Sequence, residues 1–168
     1  VAAALGLSLL TMHAGFLPED PCDERDTMID RLKQLANLFS AMNIELAFET
    51  GQETADTLVT VLQELSIPSI GVNFDPANMI LYGKGDPVAS LCTLSPWIRQ
   101  VHIKDAVAST VSGEWGREVP VGQGDVQWND FLQAIPQGVD LVIEREAGKG
   151  RIADIKAAVS LIQKNGVC

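Results

Sequence analysis

Histidine is scarce in this sequence, with two among 168 residues, and aromatic side chains make up only 5%. Basic residues are few as well: 12 Lys and Arg face 22 Asp and Glu, for a net charge of −10. That balance excludes the basic footprint by which proteins hold nucleic acid or anionic lipid. The three cysteines, Cys22, Cys92 and Cys168, are odd in number and widely spaced, without paired-ligand spacing. Reduced thiols in a cytoplasmic compartment are the expectation. No apolar run approaches the roughly 20 residues of a membrane span. The apolar Val1–Leu10 lacks the basic start of a signal peptide. Low-complexity and linker-like segments are also missing, so residues 1–168 are expected to form one domain.

What is present is an ordinary globular composition, 46% hydrophobic, in which strand and helix patterns alternate. Strands are expected at Leu7–His13, Ile44–Glu49, Ile70–Asp75, Ile98–Lys104 and Val139–Glu144. Their apolar, β-branched runs suit parallel strands covered on both faces. Helices are expected at Asp23–Met42, Glu53–Leu65, Pro87–Leu94, Trp128–Ile135 and Ile152–Gln163. The first carries Met28, Ile29, Leu32, Leu35, Ala36 and Phe39 at helical spacing, with Asp23 and Asp26 as cap candidates. The last is expected to turn Ile152, Ile155, Val159 and Ile162 inward. Residues 106–126 form a long, glycine-bearing excursion. Alternation of this kind implies parallel strands joined by right-handed crossovers. Five strands fall short of the eight of a closed (β/α)8 barrel. The opening on Val1, with Ala2–Gly6 reading as a helix end, favours a TIM barrel incomplete at its N-terminus over an open doubly wound sheet.

Four strands in succession end in a metal-binding type of residue: Glu49, Asp75, His102 and Glu144. In a parallel barrel these ends converge on one site. Three carboxylates with one imidazole suit Mn²⁺, Mg²⁺ or Co²⁺, with Zn²⁺ as a further possibility. A metal there can polarise a carbonyl, and Glu49 and Glu144 are placed to act as acid and base as well as ligands. A strand-end carboxylate is often only a helix cap or an ion-pair partner; four in a row are harder to explain that way. Around the set, His13 ends an earlier strand. Asn78 can meet a hydroxyl or form an Asx turn. Lys104 can touch substrate or pair with an acid. Glu146 competes with Glu144 as ligand, and Glu144 is preferred because it directly follows the apolar run. Gly83-Lys-Gly85, Gly122-Gln-Gly124 and Gly148-Lys-Gly150 lack phosphate-loop spacing and are read as turns.

Thr11-Met-His-Ala-Gly15, Phe48-Glu-Thr-Gly51, Asn73-Phe-Asp-Pro-Ala-Asn78, Val101-His-Ile-Lys-Asp105, Val119-Pro-Val-Gly-Gln-Gly-Asp125 and Val142-Ile-Glu-Arg-Glu146 together resemble the sugar phosphate isomerase/epimerase family of xylose isomerase-like TIM barrels. The resemblance implies that the strands are the fourth to eighth of the barrel. It implies one divalent metal held by Glu49, Asp75, His102 and Glu144, and a small sugar or sugar phosphate as substrate. His13, Asn78, Lys104 and Arg117 are the candidate substrate contacts, His13 being otherwise an extra ligand or a core histidine. Two positions depart from the related ketose 3-epimerases. Asn78 stands where they have histidine, and Glu118, with Arg117 beside it, stands where they have arginine. Inosose dehydratases and hydroxypyruvate isomerases share the pattern, and a catalytically inactive metal- or sugar-binding remnant is a further alternative. An endonuclease IV-like nuclease, which needs many histidines, ranks last. Two unpaired sheet edges would be an association hazard that a homo-oligomer relieves.

Overall fold

A computed structural model describes residues 1–166, and Cys168 lies outside them. Ala3–Leu5 is a single 3₁₀ turn that closes on Gly6 in the left-handed region. The chain then runs β1 (Leu9–His13), α1 (Asp23–Ser40), β2 (Glu45–Glu49), α2 (Ala55–Leu65), β3 (Ile70–Phe74), α3 (Pro76–Leu81), α4 (Pro87–Leu94), β4 (Ile98–Ile103), β5 (Asp105–Val107), β6 (Arg117–Val119), α5 (Trp128–Ala134), β7 (Asp140–Ile143) and α6 (Arg151–Lys164). Strands β1, β2, β3, β4 and β7 lie in that order in one five-stranded sheet, and every pairing is parallel. The sheet curls into a half-barrel, an incomplete form of the expected TIM barrel. No helix among the described residues is long and apolar enough to cross a membrane.

Burial follows position in the sheet. All five residues of β3 are buried, and Leu46, Ala47 and Phe48 of β2 are as well. These strands have a neighbour on each side and helices behind them, which is why their sequences are apolar without alternation. The outermost strands β1 and β7 are only partly covered. Helix α1 turns Ile29, Leu32 and Ala36 inward, and α2 turns Leu58, Val61, Leu62 and Leu65 inward. Phe131 meets Phe74 in a tilted contact and Trp128 edge to face in the core, with ring centroids 5.8 and 5.7 Å apart.

Several expectations need correction. Cys22, not Asp23 or Asp26, caps α1, its sulfur accepting from the Arg25 N–H, while the aspartates sit in the first turn facing the helix dipole. Cys22 and Cys92 are exposed and free. Helix α2 starts after Thr54, whose hydroxyl accepts from Thr57 N–H, so Glu53 lies in the loop before it. A short helix, α3, follows β3 where the sequence analysis placed no helix, because Asp75 caps it and Pro76 opens it. The excursion contains an antiparallel ribbon, β5 with β6. In α6 only Ala158 and Ile162 are buried; Ile152 is 76%, Ile155 39% and Val159 38% exposed. Among the strands the helix packs mainly on β7, at the end of the described sheet, and Ile152, Ile155 and Val159 stay largely uncovered.

The excursion is anchored by Asp105, a fully buried carboxylate directly after β4 and Lys104. It accepts from the N–H groups of Ala106, Gly122, Gly124 and Val126 and from the indole N–H of Trp128, at 2.8–3.3 Å. Hydrogen bonds to a charged group contribute about 1.5–3 kcal/mol each. A Cβ at position 124 would run into this carboxylate, which is why glycine stands there.

The uneven burial of α6 gives a direct test. Ile162→Ala, which empties a 6% exposed site, is expected to cost at least about 2 kcal/mol in urea unfolding. Ile152→Ala in the same helix is expected to change stability by no more than about 0.5 kcal/mol.

Candidate metal centre

The parallel register brings the C-terminal strand ends side by side. His13 pairs with Glu49, Glu49 with Asn73, and His102 with Val142 two residues before Glu144. Glu49, Asp75, His102 and Glu144 each offer one ligand atom, and the four atoms lie within 4.8 Å of one another. His102 Nδ1 is central: it is 3.0 Å from Glu144 Oε2, 3.5 Å from Asp75 Oδ2 and 3.5 Å from Glu49 Oε1. The residues read from the sequence as one set are therefore one cluster in space.

Each carboxylate is held in place by its own restraint. The Oε1 and Oε2 atoms of Glu49 accept from the amides of Asn78 at 3.2 Å and Asn73 at 3.3 Å. Asp75 divides its two oxygens. Oδ1 caps α3 by accepting from Asn78 N–H at 3.0 Å, and Oδ2 faces His102. Thr50 ties the ends of β2 and β3 together, donating to the Asp75 carbonyl and accepting from the Asp75 N–H. Lys104 is 97% buried, with Nζ 3.2 Å from both Glu144 Oε2 and Glu146 Oε1 and 3.6 Å from Asp75 Oδ2.

The electrostatics express a strong demand for positive charge. Burial works against a charged His102, but the carboxylates of Asp75, Glu144 and Glu49 around its ring outweigh it and push its pKa up to about 11. Glu144 is held down at about 2, by His102 first and against its own burial, with Lys104 assisting. Burial raises Glu49, yet the interaction with His102, and to a lesser degree with His13, leaves it below the ordinary value. Burial likewise opposes the charge on Lys104, and Asp75, Glu144 and Glu146 hold its pKa above the usual lysine range.

Two buried atoms in this cluster, Asp75 Oδ2 and His102 Nδ1, have no hydrogen-bond partner among the described residues. Unpaired buried polar atoms are costly and rare in proteins, and these two lie 3.5 Å apart. Three hard oxygens and one imidazole nitrogen, with two orphaned atoms among them, fit a divalent cation.

The surrounding residues divide. His13 is half exposed at the rim, 3.6 Å from Glu49. Asn78 does not form an Asx turn; Asp75 supplies the cap, and the Asn78 amide donates to Glu49 and to the Thr50 carbonyl. Lys104 pairs with acids, the second of the two roles open to it. Glu146 is 65% exposed and reaches Lys104, not His102, so Glu144 is the carboxylate in the cluster. Arg117 is exposed on β6 opposite Val107 and joins no ion pair with the four among the described residues. Sequence reading missed Asn73, fully buried, whose amide lies 3.0 Å from His102 Nε2 and also donates to Glu49. Gln100 extends that network to Asn73 Oδ1. The only hint was a polar residue in a strand otherwise buried throughout.

A raised histidine pKa adds stability that is full below its unfolded value of about 6.5 and is lost as pH climbs through the folded value, here about 11. In chelator, the stability advantage of wild type over His102→Gln in urea unfolding is therefore expected to shrink steadily from about pH 7 to pH 10. A pH-independent advantage would mean that His102 carries no charge in the metal-free cluster.

Comparison with known proteins places the fold. Residues 1–165 match the family model described as xylose isomerase-like TIM barrel. A 3-dehydroshikimate dehydratase of Bacillus anthracis is 27% identical over 128 residues, covering 67% of this chain and 45% of that protein. A xylose isomerase domain protein of Planctomyces limnophilus superposes with a TM-score of 0.90 at 33% identity, covering 99% of this chain and 62% of that one. An L-ribulose 3-epimerase superposes with a TM-score of 0.74 at 16% identity, a likeness of fold alone, covering 98% of this chain and 63% of that one. The chain thus spans between about half and two thirds of the length of the proteins it matches. With a family model matched over nearly its whole length and the half-barrel to go with it, the chain belongs to the xylose isomerase-like TIM barrel family.

Proposed function

We propose that the site is that of a divalent-metal-dependent isomerase or epimerase of a sugar or sugar phosphate, moving a proton on the carbon next to a carbonyl. The observation that carries this reading is the four-residue cluster with its two orphaned buried atoms. Glu49, Asp75, His102 and Glu144 would hold the ion. The oxygen-rich donor set suits Mn²⁺, Mg²⁺ or Co²⁺ and also admits Zn²⁺. When bound, the ion supplies polarisation of the carbonyl oxygen, which makes the neighbouring C–H more acidic.

The protein's own groups do the proton work. Glu49 ends β2 and Glu144 follows β7, and two strands, β3 and β4, lie between them in the sheet. Each is an ionised carboxylate, one able to take a proton from the substrate carbon and the other to return it. His102 first, with Lys104 assisting, keeps Glu144 ionised, and Lys104 also restrains its orientation. The Asn73 and Asn78 amides hold Glu49 in one orientation. His13, exposed at the rim beside Glu49, is the best placed of the four proposed substrate contacts. Asn78 and Lys104 spend donors within the site, and Arg117 would have to reach in from β6. The compartment we assign is the cytoplasm, where exposed free thiols persist.

The Bacillus anthracis relative favours a second reading, a dehydratase. It begins with the same proton abstraction and differs in then expelling a hydroxyl as water. The protein with Mn²⁺ is to be incubated in D₂O with a panel of ketoses, ketose phosphates and 3-dehydroshikimate. Deuterium uptake next to the carbonyl without loss of water supports isomerisation, and loss of water supports the dehydratase. Metal binding without either reaction would leave a non-catalytic remnant. Glu144→Gln and Glu49→Gln are each expected to lower turnover by about 10²–10⁴-fold with the fold retained by circular dichroism. Wild-type turnover in Glu144→Gln would remove that residue from the reaction.

A further inference from the structure

Among the described residues, the strand before Glu144 has fewer sheet neighbours than the strands that carry or precede the other three. Glu49 and His102 belong to strands with a neighbour on each side, and Asp75 directly follows another. Glu144 follows β7, which among the described residues pairs with β4. Its own N–H still donates to the Ile103 carbonyl, and from Arg145 to Lys149 the backbone is irregular. A ligand at the mouth of such a loop needs another restraint to stay in register with the other three.

That restraint comes from the excursion. Glu118 on β6 presents one carboxylate to three successive residues of the loop. Its Oε1 accepts from Arg145 Nη1 at 2.7 Å and from Glu146 N–H at 3.1 Å, and its Oε2 accepts from Ala147 N–H at 3.0 Å. The Glu118 and Arg145 side chains are each only 9% exposed, and Arg145 Nε donates to Asp154 Oδ2 in the first turn of α6 at 2.9 Å. Partly buried, charge-assisted hydrogen bonds of this kind fix geometry as well as contribute energy. Glu118 is itself placed by the β5–β6 ribbon, opposite Ala106, the residue that follows the Asp105 anchor. The backbone on the C-terminal side of Glu144 is thus gripped by Glu118, while its carboxylate is gripped by Lys104.

We propose that Glu118 is a positioning residue for Glu144: by clamping residues 145–147 it sets the direction of the Glu144 carboxylate toward His102. This rests on the reading of the cluster as a metal centre. It assigns the excursion a task beyond covering the core, since the loop after β4 would adjust a ligand that follows β7.

The test uses Glu118→Ala, Glu118→Gln, Glu144→Gln and the double variant Glu118→Ala/Glu144→Gln. Mn²⁺ affinity is measured by calorimetry, and the metal-free imidazole nitrogens by NMR. Histidine spectra are simple here because the chain has only His13 and His102. Glu118→Ala is expected to weaken Mn²⁺ binding about 10–100-fold, the usual effect of losing an outer partner of a ligand. Glu118→Gln, which keeps an acceptor for the backbone, is expected to lose less. Adding Glu118→Ala to Glu144→Gln should cost nothing further, because the ligand it positions is already disabled. In the metal-free protein, Glu118→Ala should shift the His102 nitrogens in the same direction as Glu144→Gln and leave His13 unmoved. Unmoved His102 signals in a folded Glu118→Ala protein, or an equal affinity loss in the Glu144→Gln background, would overturn the proposal. If the wild type binds no Mn²⁺, the metal reading fails and the His102 spectra alone decide the role of Glu118. If Glu118→Ala does not fold, Glu118→Gln carries the same comparisons.

Discussion

Three carboxylates and an ammonium group crowd one imidazole that is itself 92% buried, and the atoms facing each other across the centre are too close to be left to mobile side chains. Like charges at such distances repel strongly where water is excluded. The cluster persists only because the backbone delivers each group from a fixed strand end. Parallel pairing from β1 to β7 puts those ends on one rim, and the apolar burial of β2, β3 and β4 keeps the rim rigid. The rest of the structure can be understood as support for that convergence.

The support is layered. Thr50 joins the ends of β2 and β3 through two hydrogen bonds of one hydroxyl. Asp75 serves two ends at once, capping α3 with one oxygen and facing His102 with the other. A helix cap and a candidate ligand are usually weighed as rival explanations of a strand-end aspartate; here they are the same residue, because a carboxylate has two oxygens and the turn separates their directions. Asn73 reaches from β3 to Glu49 on one side and His102 on the other. Asp105 gathers the excursion and the buried indole of Trp128 around the end of β4. Partners of this second layer often matter to metal affinity nearly as much as the ligands themselves.

Much of this was legible in the sequence. The alternation of apolar runs and helical stripes gave five strands in the right order, since burial on both faces leaves an unmistakable record in composition. Glu49, Asp75, His102 and Glu144 could be picked out because each directly follows, or lies within, such a run. Boundaries slipped where capping chemistry competed: Cys22 for Asp23, Thr54 for Glu53, and the short helix begun by Asp75-Pro76. The β5–β6 ribbon escaped notice because three-residue strands carry no periodicity. Ile152, Ile155 and Val159 look inward on a helical wheel, but the wheel does not say how many strands lie beneath the helix.

Sequence alone determined the fold family, the parallel order of the strands and the residue types at their ends, because these depend on local periodicity and on burial repeated along the chain. Tertiary structure decided which groups meet. It chose Glu144 over Glu146, since only one of the two lies by His102 while the other swings out to Lys104. It brought Asn73 into contact with two of the four and set Glu118 against the loop that follows Glu144. Those contacts join residues 24 to 29 positions apart in the chain. They exist only once the sheet has curled and its strand ends stand side by side.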